Sequence, residues 1–128
     1  MKCLLDSHTL IWWWNADPAL SPAARAIMAD RTNTIFVSAA TAWELATKFR
    51  SGRLPSVGRR LDAFDAVIRD DGFHHLDVRH EHGLRGGLLE SEHRDPFDRL
   101  LAAQALIEGL TVLTRDRAFV GFGCETLW

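Results

Sequence analysis

Four acidic residues lie where an α/β protein would place its chemistry: Asp6, Glu44, Asp98 and Asp116. Carboxylates that share one site repel each other, so at neutral pH such a group either takes up protons or binds cations. Oxygen ligands favour Mg²⁺ or Mn²⁺ over zinc, and no cysteine or histidine spacing offers a competing site. Such ions orient a phosphodiester, help to deprotonate the attacking water and stabilise the leaving oxygen. The four acids are therefore candidates for a metal-dependent hydrolytic site.

The segments that must position these acids alternate between strands and helices. Short β-branched and apolar runs predict strands at residues 3–5, 34–37, 73–78, 111–114 and 125–128. Cap residues and apolar periodicity predict helices at residues 8–14, 22–29, 39 to near 52, 61–71, 79–90 and 96–108. This order predicts an α/β fold with a mostly parallel sheet of four or five strands, flanked by helices on both faces. We expect residues 1–128 to form a single domain.

The acids fall at one edge of this predicted sheet. Asp6 ends the first strand, and Asp116 follows the strand that ends at Thr114. Glu44 lies in the helix that leaves the second strand, and Asp98 in the first turn of the helix that leads into the 111–114 strand. In open α/β sheets, ligands bind outside the carboxyl ends of the strands. The sequence therefore predicts that four distant segments each bring one carboxylate to a common rim.

Each acid also has an ordinary structural explanation. Asp98, in the first turn of a helix, would interact favourably with the helix dipole. Asp116 could be an ordinary turn residue before a short helix, and Glu44 could be a solvent-exposed position on its helix. Asp6 is different, because a lone acid closing a core strand is costly to bury unless it is paired or liganded. Taken singly, only Asp6 favours a functional role.

Composition limits the classes of function. The formal net charge of −2 means that bulk basic charge is no argument for nucleic-acid binding. Arginine outnumbers lysine, which suits phosphate binding but equally reflects codon composition. Two cysteines, Cys3 and Cys124, suggest no disulfide framework and suit a reducing cytosol. With no signal-like segment and no apolar run of membrane-spanning length, we expect a soluble, cytoplasmic protein.

Three segments resemble the signatures of PIN-domain proteins, specifically the VapC-type toxins of toxin–antitoxin pairs. They are residues 4–13 (LLDSHTLIWW), residues 93–105 (HRDPFDRLLAAQA), and TRD at 114–116 with FGCETLW at 122–128. The resemblance runs over the whole chain, although residues 51–90 match only loosely. It implies an endoribonuclease dependent on Mg²⁺ or Mn²⁺ that hydrolyses RNA, forms a homodimer and is inhibited by a cognate VapB-type antitoxin.

The resemblance also assigns the site residues one by one. The first acid of the family falls on Asp6, its helix glutamate on Glu44 and its fourth acid on Asp116. The third acid falls on Asp98, which leaves Asp95 as the helix cap. The family often has threonine where this chain has Ser7, and both side chains are small hydroxyls.

Other functions fit the sequence less well. A phosphate-accepting receiver domain needs paired acids after the first strand and a late lysine, whereas Ser7 and His8 follow Asp6 and both lysines are early. A phosphohydrolase with an Asp-x-Asp motif fails because position 8 is histidine. A third possibility is a PIN-like fold that is kept only for partner binding. The presence of all four acids argues against it.

Several aromatic and basic residues remain open. Trp12, Trp13 and Trp14 span about 200° of a helix, so we expect at least one ring to leave the core and line a groove for an antitoxin or a second copy. The histidines are interpreted as surface or packing residues, with no role derived for His93. Four arginines flank the acids and suit either phosphate or carboxylate partners: Arg94, Arg99, Arg115 and Arg117.

Overall fold

A fully parallel sheet of five strands forms the centre of the molecule. The computed structural model describes all residues, Met1–Trp128. The strands are β1 (Lys2–Leu5), β2 (Thr34–Ser38), β3 (His74–Leu76), β4 (Thr111–Leu113) and β5 (Thr126–Leu127). Their order is β3-β2-β1-β4-β5, and each neighbouring pair is parallel. The predicted fold class is confirmed, and β1 occupies the middle of the sheet.

Eight helices connect these strands. They are α1 (Ser7–Trp14), α2 (Pro22–Ala29), α3 (Ala39–Arg50), α4 (Gly58–Asp62), α5 (Phe64–Asp70), α6 (His80–Leu88), α7 (Pro96–Glu108) and α8 (Ala118–Gly121), with a 3-10 turn at Pro55–Val57. The side chain of Ser21 caps α2, as predicted, and α7 ends at Gly109 with a φ of 68°, a left-handed value that glycine adopts without strain. No helix combines the length and apolar character needed to cross a membrane.

The alternation of side chains along β1 divides the core into two layers. Cys3 and Leu5 face a layer with Leu10 of α1, whereas Leu4 faces a second layer with Leu101 of α7. All of these side chains are inaccessible to solvent, which is expected for a strand covered by helices on both faces. Because both layers hold β1 in place, the position of Asp6, the next residue, is determined by the core.

One predicted helix is divided in the structure. Residues 61–71 were expected to form one amphipathic helix, but the backbone leaves the helical region at Ala63 with φ −126° and ψ 36°. Alanine is a strong helix former, so the break reflects tertiary packing rather than local propensity. Arg60, before the break, donates to the main-chain oxygen of Trp14, and Phe64, after it, packs edge-on against the Trp14 ring.

Candidate active site

Asp6 lies at the carboxyl end of the central strand, as predicted. Its main-chain N–H still donates to Leu113 O on β4, so the ladder holds it in place. Its side chain makes no capping bond to α1 and instead accepts a hydrogen bond of 2.8 Å from Thr114 Oγ1. Burial raises the pKa of the Asp6 carboxyl, and the negative charges of Glu44 and Asp116 add to this, against the opposing effects of Thr114 and His8.

Glu44 is buried, so the solvated-surface interpretation of this residue is wrong. It lies on α3 and is only 3% exposed. Its Oε1 accepts a short hydrogen bond from Ser7 Oγ, and its Oε2 lies 2.6 Å from Lys48 Nζ, one helical turn away. A buried carboxylate is tolerated when a cation and hydrogen-bond donors compensate its charge, and both are present here. Ser7 directly follows Asp6, so this contact ties α3 to the end of β1.

Asp95, and not Asp98, caps the N-terminus of α7. Asp95 Oδ1 accepts the main-chain N–H groups of Phe97 and Asp98, which satisfies the first turn of α7 as predicted. The Asp98 side chain is then free to accept a hydrogen bond of 2.8 Å from Nε2 of His93. Asp98 does lie in the first turn of α7, as the helix-dipole interpretation requires, but that interpretation did not include the hydrogen bond with His93.

Burial and neighbouring negative charges shift the pKa of the Asp98 carboxyl. Burial raises the pKa of its carboxyl to about 6, and the negative charges of Asp95, Asp6 and Glu44 add to the effect, while the hydrogen bond from His93 opposes it. The charges that act on Asp98 thus include those of acids on two other segments, at the end of β1 and on α3.

Asp116 is exposed and occupies a turn between β4 and α8. Its main-chain N–H donates to Thr114 Oγ1 at 3.0 Å, and its Oδ1 accepts from the N–H of Ala118. The turn interpretation and the rim position are therefore both correct for this residue. Thr114, which the sequence had not singled out as a site residue, donates to Asp6 and accepts from Asp116, so one hydroxyl sets the spacing between two acids.

The four acids approach one another without already forming a cation cage. No three of their side chains stand around a common point in the arrangement required to ligate an ion. The donor set is nevertheless entirely oxygen, which fits Mg²⁺ or Mn²⁺. Oδ1 of Asp6 has no protein partner, and since no buried polar atom of the chain lacks one, this oxygen reaches solvent. The four carboxylates thus offer the oxygen ligands that a hard divalent cation prefers. To bind one ion together, their side chains would have to rotate towards it.

A cleft of about 520 Å³ opens beside Asp6. Its lining residues are Asp6, His8, Trp12, Arg115, Asp116 and Arg117. Glu44 and Asp98 do not line this cleft, so the structure places only two of the four acids on its surface. Of the three consecutive tryptophans, Trp14 is buried while Trp12 and Trp13 are half-buried, and it is Trp12 that borders the cleft.

Arg99 and His93 have roles that the sequence did not predict. The Arg99 guanidinium binds neither phosphate nor carboxylate but donates to five main-chain oxygens, those of Gly86, Gly87, Leu89, Ser91 and His93. It thereby fastens the loop between α6 and α7 onto α7. That loop carries His93, which packs edge-on against Phe122, as expected of a packing residue, and in addition contacts Asp98.

Comparison with family models and solved structures identifies the family and the fold. The PIN-domain family model matches residues 3–122. VapBC2 from Rickettsia felis, solved with a promoter DNA fragment, is 18% identical with a TM-score of 0.71, covering 99% of this chain and 98% of that chain. FitAcB from Neisseria gonorrhoeae is 19% identical with a TM-score of 0.65 over 98% and 96% of the two chains.

A third solved structure, VapBC-1 from nontypeable Haemophilus influenzae, is 17% identical with a TM-score of 0.67 over 99% of this chain and 97% of that chain. At these identities the likeness concerns the fold. No significant match was found among curated proteins. The family model spans nearly the whole sheet, from within β1 to the turn after α8. The chain therefore belongs to the PIN-domain family.

Proposed function

We propose that this chain is a metal-dependent endoribonuclease and the toxin of a toxin–antitoxin pair. One observation carries the proposal: Asp6, at the carboxyl end of the central strand, has a carboxyl pKa raised first by burial and further by the negative charges of Glu44 and Asp116, which come from separate segments. Proteins with PIN domains are generally nucleases, which supports hydrolysis of a nucleic acid. In this proposal residues 1–128 act as a single catalytic domain.

The residues of the chain would hold the ion and the substrate. Asp6 and Asp98, with Asp116 and Glu44, would bind Mg²⁺ or Mn²⁺, which supplies an activated water and stabilises the negative charge that develops on the phosphate. Thr114 keeps Oδ2 of Asp6 engaged, so Oδ1 is the oxygen left to face the ion. His93 engages Oδ2 of Asp98 in the same way. Such outer hydrogen bonds fix the orientation of carboxylate ligands.

The partners in the proposal are a VapB-type antitoxin and a second copy of the chain. The support is that the similar solved structures are toxin–antitoxin assemblies, VapBC from two organisms and FitAcB. Half-exposed aromatic surface beside the cleft is consistent with a protein that docks there and blocks access to Asp6. We propose that the antitoxin acts in this way and that the chain works in the cytoplasm.

RNA cleavage with matched variants tests this function. The purified chain is incubated with a long single-stranded RNA in Mg²⁺, Mn²⁺ or EDTA, and new ends are mapped by sequencing. We expect cleavage only with a divalent ion, and a loss of at least about 100-fold in Asp6→Asn, on the scale of removing a group that stabilises the transition state. Asp116→Asn is a second variant at an exposed site, where folding is not at issue.

The control is Asp62→Asn, which changes the charge equally at an exposed position on α4. Its cleavage rate should equal that of the wild type. Full activity in EDTA, or wild-type rates in both Asp6→Asn and Asp116→Asn, would refute the proposal and favour a PIN-like module that only binds a partner.

A further inference from the structure

Two arginines in the cleft beside Asp6 have no acidic partner. Arg115 and Arg117 stand on either side of Asp116 in the sequence, yet none of the ion pairs in the chain involves either of them. Both line the cleft. The sequence left carboxylate and phosphate partners open for these residues, and the structure shows that neither arginine pairs with a carboxylate of this chain. Two unpaired cations in one cleft leave a site for an anion.

Arg115 is also held in place by an aromatic ring. Its guanidinium carbon lies 4.4 Å from the ring centroid of Trp12, a distance typical of a cation–π contact. Trp12 is itself fixed, because it is half-buried on α1 and packs edge-on against Trp128 at 5.6 Å. A guanidinium supported on one face keeps its N–H groups directed outward in its own plane. Binding an anion at Arg115 therefore costs little side-chain entropy.

We propose that Arg115, supported by Trp12 and assisted by Arg117, binds a backbone phosphate of the RNA strand next to the phosphate that is cleaved. The inference rests on the proposed function, whose substrate it positions. An RNA strand is favoured over an acidic protein segment because the same cleft contains Asp6 and Asp116, so a strand cleaved there passes the two arginines with its neighbouring phosphates. The planar guanidinium matches two phosphate oxygens at once.

Salt-dependent binding tests the phosphate contact directly. Binding of a fluorescent single-stranded RNA is measured by anisotropy in EDTA, so that the strand stays intact, between about 50 and 200 mM salt. For single strands the slope of log K against log salt falls by about 0.7 for each phosphate contact that is lost. We expect this loss of slope in Arg115→Gln, with affinity lowered about tenfold at low salt, as for one charge-assisted hydrogen bond.

Arg59→Gln is the matched control, since Arg59 is exposed on α4 and does not line the cleft. It should keep the slope and affinity of the wild type. An equal loss in both variants would mean a general charge effect and would overturn the inference, as would wild-type affinity and slope in Arg115→Gln. An acidic protein segment would then be the better candidate for the cleft.

The role of Trp12 is tested by coupling. Trp12→Phe keeps an aromatic side chain in the core and weakens the contact with Arg115, so we expect a two- to threefold loss of RNA affinity. In the Arg115→Gln background the same change should have no effect, and Arg115→Lys should restore the salt slope without restoring the sensitivity to Trp12. Additive effects of the two substitutions would contradict the support role.

Failure of the proposed function is a separate result. A wild-type chain that leaves RNA intact in Mn²⁺ contradicts the ribonuclease, whereas the anisotropy slopes are measured without metal or cleavage and decide the phosphate site independently.

Discussion

Replacing Asp98 with asparagine should stabilise the metal-free protein at neutral pH. Burial places the pKa of this carboxyl at about 6, against an ordinary value of 3.8. A difference of about two pH units corresponds to about 3 kcal/mol. Because the folded pKa is raised, the fold favours the protonated carboxyl, so stability is highest at low pH and falls as the pH rises from about 4 to about 6. The side chain is only 14% exposed, so solvent screens little of this effect.

The Asp98→Asn variant avoids this loss because its amide never ionises, while the amide oxygen still accepts the hydrogen bond from His93. Urea unfolding in EDTA, compared between wild type and variant, should show nearly equal stabilities at pH 4. The variant should be more stable by about 2–3 kcal/mol at pH 8. The same substitution should abolish cleavage, so the stabilisation would measure what burying an ionised carboxylate at this position costs the metal-free fold.

A second acid provides a control of opposite sign. Hydrogen bonds from Arg69 and His75 hold the pKa of Asp65 below its usual range, so the fold favours its ionised form. Asp65→Asn should therefore lose stability at neutral pH, with the difference disappearing as the pH falls. If Asp98→Asn is less stable than the wild type at pH 8, or if its advantage does not change with pH, the conclusion that burial raises the pKa of Asp98 is wrong.

Three further predictions follow from separate contacts. Gly86→Ala should lower the free energy of unfolding, measured with urea, by about 1–2 kcal/mol. The reason is that a Cβ there would lie 3.1 Å from a carbonyl oxygen of α7. Gly87→Ala is the control, because the space around Gly87 is open, and it should be neutral or stabilising. Millimolar Mn²⁺ should raise the melting temperature of the wild type but not of Asp6→Asn. Lys48→Met should cost about 3 kcal/mol in urea, because Glu44 would remain buried without its cation.

The parts of the fold that the sequence predicted are those determined by nearby residues. Ser21 and Pro22 start α2, and Asp95 and Gly109 bound α7, because caps act within a few positions of themselves. The common rim was also predictable, since parallel strands end at one edge of a sheet. The break at Ala63 was not, because it depends on packing against a helix far away in the sequence.

The partners of the acids were beyond sequence reasoning. The ion pair of Glu44 with Lys48 joins neighbouring turns of one helix, but the burial of Glu44 against Ser7 depends on how α3 packs against the end of β1. The contact of Asp98 with His93 depends on the path of the loop before α7. The sequence signs for Thr114 were its place at the end of a buried strand, two residues before Asp116, and its position in the TRD segment at 114–116. Local rules identify which residues are unusual, and tertiary geometry decides what each of them contacts.

The central position of β1 has a consequence for folding. Its neighbour β4, with Thr114 directly after it, is translated more than 100 residues after β1. Until then one edge of β1 has no partner and Asp6 lacks the hydroxyl that orients it. Contacts so distant along the chain form late in folding. An oriented Asp6 is therefore the product of a late step of folding, and a chain folded only as far as α7 would lack it.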